Sequence, residues 1–199
     1  MTDQVPAPKP GGWFAALWIA AFVAPIASQP SLLAGTVVWV LVSSAATGIL
    51  LAPYVPRPWV WTRNTLLALA AIVAAFVLLG LAWPFLLPIV MVLYVFTPVI
   101  VPFLGLLVGA AQSSAFLKVG QDATESRRPG LWMWVSGTSW LAMTLVFWYM
   151  TGKPLRLDVQ LDLRVALIAL LTGGAVSCAG MLWILRKIPE RGNKELRVR

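Results

Sequence analysis

From Asn64 to Leu117 the chain reads NTLLALAAIVAAFVLLGLAWPFLLPIVMVLYVFTPVIVPFLGLLVGAAQSSAFL, without a single charge. An α-helix needs about 20 consecutive apolar residues to cross the hydrocarbon core of a bilayer. This tract is therefore long enough for two crossings. Its middle and second half hold Pro84, Pro88, Pro98 and Pro102. Proline removes a backbone donor and clashes one turn back, which predicts two helices, near 65–85 and near 97–117. The proline-rich piece between them is expected at the interface or against protein, because unpaired backbone cannot face lipid.

Three more tracts extend the pattern. Gly11 to Pro56 is uncharged and breaks at Ala27-Ser28-Gln29-Pro30-Ser31, which predicts helices near 11–28 and 32–52. Pro129 to Gly152 and Val165 to Leu185 are also uncharged and predict helices near 131–150 and 165–185. The expected fold is all-α: one polytopic membrane domain over 1–199, with six transmembrane helices in three hairpins. A polar tail (1–10) precedes it and a basic tail (186–199) follows. Five spans is the fallback if 11–28 does not cross. A cleaved leader matches poorly, since only Lys9 precedes the apolar run and Pro25 falls at −3 of a cut after Ala27.

Composition agrees. Apolar residues make up 60% of the chain, charged residues 11%, and mean hydropathy is +0.85; soluble domains carry about 25% charged residues. Histidine is absent and Cys178 is the one cysteine. That excludes His-ligated haem, Cys/His zinc sites, Ser-His-Asp triads and intrachain disulfides. No cofactor and no metal site is expected.

The basic residues sort by side. In the six-span arrangement 12 of the 15 Lys and Arg fall on the side of both termini, and Lys153, Arg156 and Arg164 on the other. The positive-inside rule then places the N- and C-termini in the cytoplasm, with a bacterial inner or internal membrane as the expected location. Trp13, Trp59, Trp61, Trp132 and Trp134 lie at the cytoplasmic span edges, where indole rings prefer to sit. The tail 186–199 holds six basic and two acidic residues and suits anionic headgroups, at about 1 kcal/mol per near-surface charge. Nucleic acid is not an expected partner.

One constant shift carries Ser44-Ala45-Ala46-Thr47-Gly48 onto Gly109-Ala110-Ala111-Gln112-Ser113, and that segment onto Gly174-Ala175-Val176-Ser177-Cys178. Each segment lies in an even-numbered span, which reads as three parallel hairpin repeats about an axis normal to the membrane. Ser44/Gly48, Gly109/Ser113 and Gly174/Cys178 are small-xxx-small pairs, so helices 2, 4 and 6 are expected to pack around the bundle centre through them. Thr47, Gln112 and Ser177 share one repeat position and form a candidate central polar ring near mid-membrane. Trp18, Trp83 and Trp148 also align, but the polar segment 1–10 makes at least one of these matches accidental.

The run Gly109-Ala110-Ala111-Gln112 through Leu117-Lys118, then Gly130-Leu131-Trp132-Met133-Trp134, resembles small uncharacterised bacterial multi-pass membrane proteins. In those a helix ends on Gly-x-x-Gln-Trp-x-x-Leu-basic and the next opens Trp-rich. Ser113 stands where the Trp is usual. The resemblance is confined to the stretch from Gly109 to Trp134. It implies a helical membrane protein with no particular activity.

Little else carries chemistry. No Asp, Glu, Lys, Arg or His falls inside the six predicted spans, whereas proton relays and ion coupling use such residues. Cys178 reads as a small packing residue. Ser136, Thr138, Ser139 and Thr144 are expected to bond back to carbonyls of their own helix. The loop from Lys118 to Pro129 reads as a solvated connection. Leu155, Leu157, Val159, Leu161 and Leu163 alternate with polar residues through Arg164, an extended segment that lies on an apolar surface or pairs with a partner strand.

The function these features favour is a non-catalytic accessory, assembly or scaffold subunit of a larger membrane complex, partnered by other membrane subunits. The alternative is a small facilitator or channel for a small polar solute, lined by Thr47, Gln112 and Ser177. A lipid enzyme using Arg57, Arg63, Arg127 and Arg128 lacks an acid, base or nucleophile.

Overall fold

The structure is a computed structural model, and it describes residues 9–27, 32–81, 97–117, 128–152 and 163–187. These are all-helical: α1 (Gly12–Ala27), α2 (Leu32–Leu51), α3 (Pro58–Leu81), α4 (Thr97–Ser113), α5 (Arg128–Thr151) and α6 (Leu163–Lys187), with a 3₁₀ turn at Ser114–Phe116 after α4. Three stretches, Val99–Phe116, Arg128–Thr151 and Leu163–Arg186, are long and apolar enough to cross a membrane. Gly12–Val23 and Leu41–Leu51 are shorter apolar helices among the described residues. Large apolar side chains also cover the outside, among them Leu17, Ile49, Leu67, Val99 and Leu145. Helices apolar on every face belong in an apolar surrounding.

Two boundaries differ from the sequence expectation. Helix α3 begins at Pro58, about two turns before the expected start. Proline suits the first helical turn, where its missing N–H has no intrahelical partner, and Arg63 sits exposed one turn further on. Leu163 and Arg164 belong to α6 and not to an extended segment. The remainder of that segment (155–162), the proline-rich piece at 84–96 and most of the 118–129 loop lie outside the described residues. From that loop, Arg128 opens α5 and is buried, so it is no solvated linker residue.

The helices form a closed ring. Each packs on its neighbours in the chain, and α6 packs on α1. All these pairs are antiparallel. Asn64 of α3 donates to the Ala111 carbonyl of α4 at 2.7 Å. Ser136 of α5 donates to the Gly105 carbonyl of α4 at 2.8 Å, and Ser139 to the Gly173 carbonyl of α6 at 2.8 Å. Arg186 of α6 donates through two guanidinium nitrogens to the Pro10 carbonyl just before α1. One end of the ring thus gathers the starts of α1, α3 and α5 and the finishes of α2, α4 and α6. Lys9, Arg57, Arg63, Arg128, Arg186 and Lys187 sit at that end. The core lies towards it as well, built on Phe14, Trp18, Leu51, Trp61, Phe116, Trp132, Met181 and Ile184.

The even helices do not pack on one another through their small residues. Each lays them on the next odd helix around the ring. A Cβ on Gly48 would collide with Thr62 Oγ1 of α3, and one on Gly109 would stand 2.6 Å from Ser136 Cβ of α5. Gly174 faces Phe22 and Ile19 of α1 at ordinary contact distance. Ser44 and Cys178 are buried, whereas the Ser113 hydroxyl is exposed and turns back to the Ala110 carbonyl. The even helices stand apart because aromatic rings occupy the middle.

Candidate functional site

Those rings are Trp18 of α1, Trp61 of α3 and Trp132 of α5, one from each odd helix. Their centroids stand 6.2 Å apart for Trp18–Trp61, 6.2 Å for Trp18–Trp132 and 4.9 Å for Trp61–Trp132. All three are essentially buried. A buried indole N–H needs an acceptor. Trp61 Nε1 donates to Thr47 Oγ1 at 3.1 Å, Trp132 Nε1 to Gln112 Oε1 at 2.8 Å, and Trp18 Nε1 to Ser177 Oγ at 3.0 Å.

The acceptors are the three residues that the constant sequence shift aligns. Each receives its indole from the next odd helix around the ring. Gln112 also donates from Nε2 to Thr65 Oγ1 at 2.8 Å, which ties α3, α4 and α5 together. The arrangement does not lie at mid-span. Gln112 is the second-last residue of α4 and Trp61 the fourth of α3, which puts the triad about one turn inside the basic end.

The tryptophans expected at the interface divide into two sets. Trp13, Trp59 and Trp134 are 52%, 76% and 62% exposed, whereas Trp61 and Trp132 are 1% and 3% exposed. Residues two apart in a helix point about 200° apart, so Trp59-x-Trp61 and Trp132-x-Trp134 each place one ring outwards and one inwards. That spacing was the available signal that the five could not share one location. Trp18 and Trp148 are not equivalent either, since Trp18 is central and Trp148 is 44% exposed; Trp83 lies outside the described residues.

Beneath the triad lies a cavity of about 60 Å³, several times the ~15 Å³ that one enclosed water needs. Ser44, Thr47, Thr65, Gln112, Ser136, Ser139 and Ser177 line it, together with Trp61, Trp132 and Trp140. Of the four α5 hydroxyl residues singled out from the sequence, Thr138 and Thr144 bond back to their own helix as expected, to Trp134 and Trp140 carbonyls. Ser136 and Ser139 instead bond across to α4 and α6. Their spacing of three residues places them on one helix face, on the side of Trp132, which was legible in principle.

Among the described residues no cluster of His, Cys, Asp or Glu is arranged to hold a metal. Among them, too, the Tyr54 hydroxyl is the buried side-chain polar atom without a partner. Cys178 is a free, buried thiol packed in the core. No protein-family model, curated protein or solved structure matches this chain.

Proposed function

We propose that all six helices cross a membrane as three hairpins repeating at a fixed interval, with the basic end in the cytoplasm, and that the protein is a non-catalytic accessory, assembly or scaffold subunit of a larger membrane complex. The observation that carries this reading is the filled centre. Three tryptophans in mutual contact occupy the bundle axis, and their N–H groups are spent on Thr47, Gln112 and Ser177. Among the described residues, no titratable side chain lines the cavity below them. A body of this kind offers its outer surface, and that surface is rich in large apolar groups such as Trp59, Leu67 and Tyr149. The cyclic order of Trp donor and polar acceptor favours the hairpin repeat, and the gathering of basic residues at one end favours the orientation. Partners in this reading are other membrane subunits and anionic lipid headgroups.

Native mass spectrometry after gentle detergent extraction tests it. Co-purification with other membrane subunits at fixed stoichiometry is the expected result. A lone chain or a small homo-oligomer overturns it.

The cavity favours a second reading, a facilitator for a small polar solute lined by Thr47, Gln112 and Ser177. Flux through proteoliposomes no faster than through empty vesicles disposes of that one.

A further inference from the structure

We infer that the cavity under the tryptophan triad binds a small hydrogen-bond-donating guest, a primary ammonium of about methylammonium size, and refuses anions. The argument rests on where the hydroxyl protons go. A Ser or Thr hydroxyl carries one proton and two lone pairs. Ser44 spends its proton on the Leu41 carbonyl, Ser136 on Gly105 and Ser139 on Gly173. Thr47, Thr65 and Ser177 spend theirs on the carbonyls of Ser43, Trp61 and Gly174. Every one of these six oxygens therefore presents lone pairs and no proton to the cavity. Three of them use one lone pair for Trp61, Gln112 or Trp18; Ser44, Ser136 and Ser139 keep both.

Ser43 also lines the cavity and has a partner of its own. The donors left to oppose these acceptors are the second amide proton of Gln112 and the Trp140 indole N–H. Neutral oxygens arranged in this way replace the hydration shell of a monovalent cation without a fixed negative charge. The inference goes beyond the scaffold reading and holds whether or not any solute crosses the protein.

The test uses the full chain in detergent. Thermal unfolding is followed against methylammonium chloride, sodium chloride and sodium formate at matched ionic strength. Methylammonium should raise the melting temperature saturably above the sodium chloride curve, and formate should follow sodium chloride. Ser136→Ala with Ser139→Ala should weaken half-saturation by about tenfold or more, because a hydrogen bond to a charged donor is worth that much. Should that double variant not fold, Ser44→Ala serves, since its hydroxyl bonds within its own helix and its loss leaves the seams intact; a several-fold weakening is expected. Methylammonium tracking sodium chloride overturns the proposal. So does a formate shift of equal size, or a half-saturation unchanged in whichever variant folds.

Discussion

Gln112 uses both ends of its amide, and its surroundings dictate which end goes where. Trp132 can only donate, and the Thr65 proton is already committed to the Trp61 carbonyl at 2.7 Å. The Gln112 oxygen must therefore meet Trp132 and its nitrogen Thr65. Gln112→Leu would keep much of the volume but strand a buried indole N–H. It should cost about 1–3 kcal/mol, read as a lower melting temperature in detergent. Tyr54, in the turn between α2 and α3, is the opposite case. Its hydroxyl is buried without a partner, so Tyr54→Phe should leave stability unchanged or raise it by up to about 1 kcal/mol. Burial also pushes the Tyr54 phenol above its ordinary value. A raised phenol favours the neutral folded form, so its contribution is complete below pH ~10 and fades as pH climbs from there towards the folded value. Alkaline melting curves should show a loss in the wild type that is smaller in Tyr54→Phe. At this scale the sequence disclosed Thr47, Gln112 and Ser177 through their common spacing. It did not disclose their indole partners, because Trp61 and Trp132 do not follow the interval that relates the acceptors.

Helix pairing depends on where a Cβ is forbidden. On Gly109 it would lie 3.0 Å from the Met133 Cα as well as against Ser136, and backbone cannot step aside as a flexible side chain can. Gly109→Ala should destabilise the α4–α5 seam by about 1–3 kcal/mol. Gly130, in the first turn of α5, meets nothing within 4 Å. Gly130→Ala should instead be neutral or stabilising by up to about 1 kcal/mol, since alanine is the better helix former. Paired melting curves separate the two. The helices themselves were legible because uncharged tracts leave few alternatives. The early start of α3 was not, because Pro58 and Arg63 look like a boundary when only charge is counted. The seams were half legible: small residues mark a close approach, but four-residue spacing does not say which neighbour is approached.

On the scale of the whole molecule, the ring puts every odd-helix start at the basic end and every even-helix start at the other. If all six cross, Gly12→Cys and Leu163→Cys in a Cys178→Ala background should react with an impermeant maleimide from opposite faces of sealed vesicles. Labelling of both from one face would make the number of crossings between them even and refute the six-span proposal. The clasp of Arg186 on the Pro10 carbonyl has a consequence of a different kind. It brings the flanks of the first and last helices side by side, so the bundle has no structural beginning. A circular permutant that joins the two flanks by a short linker and opens the exposed turn at Ala52–Pro53 would preserve every helix neighbour. Serial order along the chain is then a matter of synthesis and insertion, and the finished ring is indifferent to where translation starts.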